Sequence, residues 1–405
     1  MYDHLKISNH AETTGLVHKH VGPDEIIVFV EGPSIQALIA NYKGCNTYAV
    51  HFEIPVAGTY RLKVVHLRGN YSAFNETNEN TPEMLYDVLV ERPVYFEKVL
   101  RTQAHGKAGV GGGPACGGHW VARQSDQALY NESVLVYEDA QRKFLRGLPL
   151  HSWVRLSTTA PLRDVNGRKA TCADDTNNFD WVVSNTSEAA AVLTPTAAGQ
   201  IMTGKRILFI GDSHTRTLMT HFMRWACGVN FPVVKHINTQ ISIPDTASRC
   251  AGLHASYVVE YFCATRTLPA LKAHDFVMVN CGHHPAAGLG RYPLKDYKEI
   301  VRNLLDTAVS KGFNNSNFAW LESVPQPLRY DEWFRGYRDW RSYHRLNVYN
   351  YEANKLVTKA NFSIVHAFSA LMPFIDKLCD NAHYAVPEAL MPQYQRILQR
   401  IKVAS

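Results

Sequence analysis

The sequence lacks several features that mark common classes of protein. No apolar run approaches the roughly 18 residues that a membrane-spanning helix needs, and residues 1–15 lack the apolar centre of a secretory signal peptide. The 42 Lys+Arg and 36 Asp+Glu residues give a net charge of +6, and the basic residues form no run typical of a nucleic-acid arm or a polybasic membrane patch. We therefore expect no nucleic acid among the partners.

Patterns for bound phosphate and for structural zinc are missing as well. The glycine-rich stretch AHGKAGVGGGPACGGHW (104–120) follows no strand pattern and has neither G-x-G-x-x-G spacing nor a G-K-S/T ending. None of the eight cysteines belongs to a C-x-x-C pair, which disfavours a zinc ribbon. We expect no metal and no other cofactor, and we interpret the glycine-rich stretch as a connecting segment.

The cysteines and the glycosylation sequons that are present favour the secretory pathway. An even set of eight cysteines is typical of disulfides, although several can instead be buried apolar thiols. The cysteines are Cys45, Cys116, Cys172, Cys227, Cys250, Cys263, Cys281 and Cys379, and the Asn-x-Ser/Thr sequons begin at Asn70, Asn75, Asn131, Asn185, Asn314 and Asn361. Together they favour a secreted or lumenal, Golgi-like protein whose signal or anchor segment is absent from this chain.

The first hundred residues show the period-two pattern of β-strands. EIIVFVEG (25–32) is a short apolar run, and residues 48–71 alternate apolar and polar residues on both sides of PVAG (55–58). This pattern predicts a β-hairpin with one buried face. In a chain of 405 residues, long enough for two domains, we expect a small β-sandwich-like domain over residues 1–100 and a connecting or wrapping region over 101–204.

From Lys205 onward, strand and helix patterns alternate. Short apolar runs occur at RILFIG (206–211), YVVEYF (257–262), HDFVMVNCG (274–282), NFAWLESVP (317–325) and FSIVHAF (362–368), and helical periodicity occurs at 215–225, 294–310 and 387–402. Such alternation is typical of a parallel sheet covered by helices on both faces. We expect residues 205–405 to form a three-layer α/β/α domain with a parallel sheet.

A serine lies where the first of these strands meets a helix. Ser213 follows ILFIGD directly, and active sites of such sheets lie at the carboxyl ends of the strands. The following helix points free N–H groups and its positive end at that position, which suits a nucleophile that generates an oxyanion. The alternative is a simple helix N-cap made by Asp212 or Ser213.

An acid and a base follow the last strand pattern. In LCDNAHYAVPEAL (378–390), Asp380 stands three residues before His383. A serine nucleophile needs an imidazole base, and that base needs a carboxylate to fix its tautomer. The D-x-x-H spacing is common by itself, but here it follows the last strand of a chain whose first such strand ends at Gly-Asp-Ser.

Four stretches carry a resemblance to a known family. They are ILFIGDSHTR (207–216), VMVNCGHHP (277–285), WLESVPQP (320–327) and CDNAHY (379–384), with GGHWV (117–121) as a looser match. The combination resembles the SGNH/GDSL hydrolases, and within them the PC-esterase branch. That branch includes plant trichome-birefringence-like polysaccharide O-acetyltransferases and neurexophilin-and-PC-esterase proteins, and the resemblance covers residues 205–405.

The resemblance implies a role for each matching residue. Ser213 is the expected nucleophile, His383 the base and Asp380 its orienting carboxylate, while Asn280 and Gly282 are expected beside the oxyanion. The chain departs from the superfamily pattern because it has no clear Gly block and VNCG only approximates the G-x-N-D block.

Three further residues are predicted to contact the oxyanion or the substrate. Arg216 is three residues after Ser213, on the same helix face, and its alternative is a surface or ion-paired arginine. Asp212 adjoins the nucleophile. His283 follows the apolar run at 274–282, and on an extended chain the side chain of the next residue, His284, would point to the opposite side. His214 is either a pocket residue or an exposed one, and His221 a packed or surface residue.

An aromatic stretch with interleaved arginines, residues 329–352, offers a second place for substrate. Its tryptophan and tyrosine rings suit stacking against sugars. The alternative is a helix that packs its aromatic side on the domain.

The leading functional hypothesis is covalent acyl transfer on carbohydrate. Ser213 takes an acetyl group from an ester, and a sugar hydroxyl removes it, which makes the protein an O-acetyltransferase acting on a polysaccharide or glycan. Water as acceptor makes it a carbohydrate acetyl esterase instead. A third hypothesis is a glycan- or receptor-binding protein on a retired esterase fold. The acyl donor is not indicated by any motif.

Overall fold

The computed structural model describes residues 5–8, 25–44, 47–50, 54, 57–68, 84–96, 151–155, 179–183, 193–229, 238–245, 249–263, 275–287, 292–327, 341–376, 383–384 and 387–403. Asp380 and the glycine-rich stretch 104–120 lie outside these residues. Within them, no helix combines the length and the apolar character needed to cross a membrane.

Two antiparallel sheets form from the strands before residue 184. The strands are β1 (Leu5–Ser8), β2 (Glu25–Glu31), β3 (Ser34–Ile39), β4 (Asn41–Gly44), β5 (Thr47–Val50), β6 (Gly58–Arg68), β7 (Met84–Phe96), β8 (His151–Arg155) and β9 (Phe179–Val183). One sheet has the order β7-β6-β2-β3-β8-β9, and a smaller one has the order β1-β5-β4. Strands β8 and β9 come from the predicted connecting region, and the predicted domain boundaries stay a prediction.

The predicted hairpin around PVAG is wrong in its strand pairing. Strand β5 pairs with β1 and β4, whereas β6 pairs with β2 and β7. Alternation identifies a half-buried strand but not its partner, and the chain changes from one sheet to the other between β5 and β6. The two sheets enclose a shared apolar cluster that includes Val28, Tyr48 and Val64.

The second part of the chain builds a six-stranded mixed sheet. Its strands are β10 (Arg206–Gly211), β11 (Thr239–Ser242), β12 (His254–Val259), β13 (Phe276–Val279), β14 (Phe318–Leu321) and β15 (Ser363–Val365), in the order β11-β12-β10-β13-β14-β15. All neighbours are parallel except β11, which is antiparallel to β12. The α/β class is confirmed, and the sheet is mixed rather than wholly parallel.

The helices from residue 195 onward include the three that the periodicity predicted, at 215–225, 294–310 and 387–402. They are α1 (Pro195–Met202), α2 (Ser213–Cys227), α3 (His283–Ala286), α4 (Leu294–Ser310), α5 (Tyr343–Lys359), α6 (Phe368–Leu371) and α7 (Met391–Val403), with 3₁₀ turns at Met372–Phe374 and Pro387–Leu390. Helix α2 extends the predicted 215–225 segment by two residues at each end and stops at Gly228, which has a positive φ of 71°. Helix α5 begins inside the aromatic stretch, so the helical alternative is confirmed for residues 343–352.

The larger N-terminal sheet packs against the mixed sheet's helices. Alternate β2 residues Ile27 and Phe29 join an apolar cluster with Leu346 and Tyr349 of α5. Glu25 is fully buried, pairs with Arg68, and its carboxylate also accepts hydrogen bonds from the N–H groups at the start of α5. The two parts of the chain therefore share a core.

Candidate active site at the carboxyl ends of the strands

The turn that carries Ser213 is held by three neighbouring groups. The Asp212 carboxylate caps α2 by accepting hydrogen bonds from the N–H groups of His214 at 2.9 Å and Thr215 at 3.4 Å. The Tyr257 hydroxyl on β12 donates to the carbonyls of Gly211 and Asp212, both at 2.9 Å. A Cβ at Gly211 would overlap the Thr215 side chain, which explains the glycine. The turn is therefore fixed before any ligand arrives.

Ser213 is the first residue of α2 and is half-buried. Within the described part of the chain, neither its N–H group nor its Oγ has a hydrogen-bond partner. The N–H is one of the orphan donors of a helix start, where the helix dipole also favours negative charge. Ser213 thus combines an unengaged hydroxyl with an unengaged donor.

Asp212 has the capping role that the sequence offered as an alternative. Its Oδ1 accepts both cap bonds, while its buried Oδ2 has no partner among the described residues. Burial raises the pKa of the Tyr257 hydroxyl, and the nearby Asp212 carboxylate raises it further. Direct contact between Asp212 and substrate stays a prediction.

Arg216 lies one helical turn after Ser213 and is only 8% exposed. Its Nε and Nη1 are buried and have no hydrogen-bond partner in the described ranges. Burying a cation without a partner is costly, and an anion or a polar ligand group would offset that cost. The guanidinium is therefore suited to an oxyanion or to a ligand oxygen.

Three histidine rings gather beside Ser213. The His214 ring stacks on His283 with centroids 3.8 Å apart, and the His383 ring centroid lies 5.2 Å from that of His214. Burial lowers the pKa of His214 well below the usual range, and the neighbouring His283 and His383 lower it further. His214 is therefore a neutral ring at neutral pH.

The predicted acid–base pair is described only in part. His383 is half-buried and belongs to the ring cluster, but Asp380 lies outside the described residues. Between Ser213 and His383 the described residues show no hydrogen bond, and such bonds often tighten only when substrate binds. The triad roles of Ser213, Asp380 and His383 stay predictions.

Asn280 and Gly282 follow β13, next to the turn that carries Ser213. The Asn280 N–H donates to Ile210 O at 2.9 Å, and its Nδ2 donates to Leu321 O at 2.9 Å and Ser323 Oγ at 3.3 Å. Both amide protons are therefore engaged, while the buried Oδ1 has no partner among the described residues. In this arrangement Asn280 offers an acceptor rather than an oxyanion donor.

His283 and His284 begin the short helix α3, so they are not on extended chain as the sequence suggested. Gly282 precedes this helix, and a Cβ there would overlap the Ser323 side chain. His283 is buried against His214, whereas the His284 ring centroid is 4.5 Å from that of Tyr261. The helical turn thus directs the two rings to different neighbours.

A small, mostly apolar cavity beside His214 includes polar groups that sequence reasoning missed. Tyr384 and Gln393 line it together with Asn280, and each contributes a buried polar atom without a partner in the described residues. The one available signal was that Tyr384 directly follows His383. Buried polar groups normally find a partner, so this cavity is suited to water or a small polar ligand.

His221, by contrast, is a packed residue of α2. It is buried, and burial, with a further contribution from Arg224, lowers its pKa to about 4. Among the residues that the structure describes, no group of three or more His, Cys, Asp or Glu side chains is arranged to hold a metal ion.

Comparisons with known proteins give similarities to solved structures only. No protein-family model matches the sequence, and no curated protein matches it. Similar solved structures include the acetylxylan esterase Axe2 from Geobacillus stearothermophilus, with 14% identity over 49% of this chain and 94% of that chain and a TM-score of 0.29. Another is a lipase/acylhydrolase from Enterococcus faecalis, with 15% identity over 49% of this chain and 95% of that chain and a TM-score of 0.31. The functional proposal therefore rests on the residues of this chain.

Proposed function

We propose that the protein catalyses serine-dependent acyl transfer on carbohydrate. Ser213 Oγ attacks the carbonyl carbon of an acetyl ester while His383 takes the hydroxyl proton and Asp380 orients the imidazole. The tetrahedral oxyanion lies against the Ser213 N–H and the Arg216 guanidinium. Collapse breaks the ester bond, His383 returns the proton to the departing oxygen, and acetyl-Ser213 remains.

The second half of the reaction releases the acetyl group. In the leading hypothesis a sugar hydroxyl loses its proton to His383 and attacks acetyl-Ser213, which gives an O-acetylated glycan and free serine. Water in the same position gives acetate and makes the protein a carbohydrate acetyl esterase. We assign it to the PC-esterase branch of the SGNH hydrolases on its four motifs, from ILFIGDSHTR to CDNAHY.

One observation carries this proposal. A serine with an unengaged hydroxyl and N–H stands at the start of α2, one turn from a buried arginine whose Nε and Nη1 are unsatisfied within the described residues. A helix cap alone explains Asp212 but not a buried guanidinium whose Nε and Nη1 have no partner among the described residues. A tetrahedral oxyanion would satisfy both Arg216 and the Ser213 N–H.

The rival hypothesis is a binding protein on a retired esterase fold. It shares the carbohydrate ligand but predicts that Ser213 forms no covalent bond. The presence of Ser213, Asp380 and His383 together in one sequence counts against it.

The test is acetyl release from p-nitrophenyl acetate by the wild type and Ser213→Ala, with a fluorophosphonate probe as a measure of serine reactivity. Loss of a nucleophile should lower kcat by several orders of magnitude, and only the wild type should be labelled. Acetylated sugar formed in the presence of an oligosaccharide acceptor would indicate a transferase, and acetate alone an esterase. Equal labelling of both proteins, or of neither, would overturn the nucleophile assignment.

We also propose that the protein is secreted or lumenal. Sequon residues Asn314 and Asn361 are exposed and precede β14 and β15, at the opposite end of the sheet from Ser213. Disulfides Cys227–Cys250 and Cys263–Cys281 suit an oxidising compartment. Glycosidase treatment of protein expressed in eukaryotic cells should increase its gel mobility, and the double variant Asn314→Gln/Asn361→Gln should show a smaller increase.

A further inference from the structure

A cluster of aromatic rings lies at the end of β12 and is exposed to solvent in part. Phe262 is 40% exposed and is one of the exposed large hydrophobic side chains among the described residues. Its ring centroid lies 6.4 Å from Tyr261, 6.0 Å from His284 and 5.9 Å from Tyr292, and Tyr261 lies 4.5 Å from His284. We call these four residues the aromatic platform.

The platform is held in place by contacts that require no ligand. The Glu260 carboxylate accepts a hydrogen bond from the Phe262 N–H at 2.9 Å, and the Glu260 N–H donates to Gly211 O at 2.9 Å. The next residue, Cys263, forms a disulfide with Cys281, so the segment after β12 is joined covalently to the segment after β13. The rings therefore lose little conformational entropy when a ligand binds.

The platform borders the Ser213 turn on two sides. Val259 is the register partner of Gly211, so Tyr261 follows β12 by the same two residues by which Ser213 follows β10. On the other side, His284 is the neighbour of His283, whose ring stacks on His214. Burial raises the pKa of the Tyr261 hydroxyl, the Arg216 charge lowers it and the Asp212 charge raises it, in keeping with the position of Tyr261 beside the Ser213 turn.

We propose that the aromatic platform binds a pyranose ring of the glycan that carries or receives the acetyl group, with Phe262 as its stacking surface. This inference rests on the proposed function. The apolar C–H face of a sugar packs on an aromatic ring, while its hydroxyls remain available to polar groups such as Arg216. Phe262 after β12 and Arg216 on α2 provide the two kinds of contact from neighbouring segments, because β12 pairs with the strand that leads into α2. The platform differs from the aromatic stretch 329–352 that the sequence suggested.

Binding of xylohexaose, cellohexaose and mannohexaose to Ser213→Ala protein by titration calorimetry tests the platform without catalysis. In that background Phe262→Leu keeps apolar volume but removes the ring, and it should raise the Kd of the best-bound oligosaccharide about tenfold. Phe262→Trp keeps a ring and should bind within about threefold of Phe262. Tyr95→Ala removes a 66% exposed aromatic residue from β7, and it should leave Kd unchanged.

Steady-state kinetics of variants that retain Ser213 distinguish glycan recognition from ester chemistry. For Phe262→Leu, the ratio of kcat/KM for the acetylated oligosaccharide to that for p-nitrophenyl acetate should fall about tenfold. The platform proposal is overturned if Phe262→Leu binds as tightly as its parent, if Tyr95→Ala weakens binding equally, or if none of the three oligosaccharides binds. If binding depends on the Phe262 ring but the fluorophosphonate does not label the protein that retains Ser213, the platform proposal stands and the acyl-transfer proposal is overturned.

Discussion

Two regions of the molecule each bury an arginine, and the two side chains differ in whether their N–H groups have hydrogen-bond partners. Arg345 of α5 is 1% exposed, and it donates to Ala286 O at 3.1 Å, Tyr292 O at 2.9 Å and the Tyr349 hydroxyl at 2.7 Å. Arg216 is almost as deeply buried but leaves Nε and Nη1 without partners in the described residues. A satisfied buried group is part of the architecture, whereas an unsatisfied one indicates a ligand that completes it.

Two buried carboxylates show the same contrast. Both oxygens of Glu322, at the end of β14, accept hydrogen bonds: Oε1 from Asn354 at 3.0 Å, and Oε2 from the N–H groups of Ala367 and Phe368 at 2.7 and 2.9 Å. Asp212 uses only Oδ1, for its cap, in the hydrogen bonds that the described ranges contain. Among the described residues, buried polar atoms without a partner occur around Ser213 and the cavity beside His214, and also elsewhere, as at His221 Nδ1 and Trp320 Nε1.

The largest effect should come from replacing the unsatisfied arginine. Arg216→Met should lower kcat/KM for p-nitrophenyl acetate by about 10²–10³-fold, as loss of one oxyanion donor does. Its free energy of unfolding should be unchanged or higher, because the change removes a buried charge whose Nε and Nη1 lack partners in the part of the chain that the structure describes. Urea unfolding and steady-state kinetics on the same preparation check both. If Arg216→Met loses stability in proportion to its loss of activity, Arg216 is a structural residue like Arg345 and the prediction is wrong.

Replacing the satisfied arginine should have the reverse effect. Arg345→Met leaves two carbonyls and one hydroxyl without their donor, which should lower the free energy of unfolding by about 3 kcal/mol. The folded fraction should keep a kcat/KM near that of the wild type, because Arg345 contacts α3 and α5 residues rather than Ser213. Loss of activity in fully folded Arg345→Met protein would contradict the division between the two regions.

Glu322 should stabilise the fold in a pH-dependent way. Burial raises its pKa, but hydrogen bonding and charge from His366, with the N–H groups of Phe368 and Ala367, more than offset this and lower it to about 2. Because the folded pKa lies below the ordinary value of 4.5, the stabilisation is complete above about pH 4.5 and is lost as the pH falls toward 2. Glu322→Gln should cost up to about 3 kcal/mol of unfolding free energy, and the full amount only while His366 is protonated.

The measurement is urea unfolding of the wild type and Glu322→Gln at pH 7 and at about pH 3.5, where the difference between them should shrink. Asp275→Asn is the control, since Asp275 pairs with Arg206 at the surface and such pairs contribute little. A difference that does not depend on pH would mean that Glu322 acts through packing and not through its charge.

The periodicity of the sequence predicted the mixed-sheet part of the fold well. The strands from β10 to β15 other than β11, and the helix Leu294–Ser310, follow from apolar runs and 3.6-residue spacing. The pairing of β5 and β6 was wrong because alternation reports one buried face and not the neighbouring strand. Strand β11 was missed because its sequence TQIS has one apolar residue.

The sequence predicted the parts of the site that depend on residues close together in the chain. Ser213 at the strand-to-helix turn, and Arg216 one turn later, follow from local spacing. The contacts of His214 with His283 and His383, and of Tyr261 with His284, join segments distant in sequence, so no local pattern reports them. The engaged amide of Asn280 depends likewise on Leu321, the last residue of β14, and on Ser323, which follows that strand.

The smallest effect should come from the packing behind the site, where the junction after β13 differs from the one that carries Ser213. A Cβ on Gly282 would overlap Ser323 Oγ and lie 3.1 Å from Ser323 Cβ, so Gly282→Ala should cost about 1–3 kcal/mol of unfolding free energy. In a Ser323→Ala background the main overlap is gone, and the same substitution should cost less. The double-mutant cycle by urea unfolding measures this coupling. Additive costs would mean that Gly282 is required for another reason, and a fall in kcat/KM of folded Gly282→Ala would extend the functional region from α2 to the start of α3.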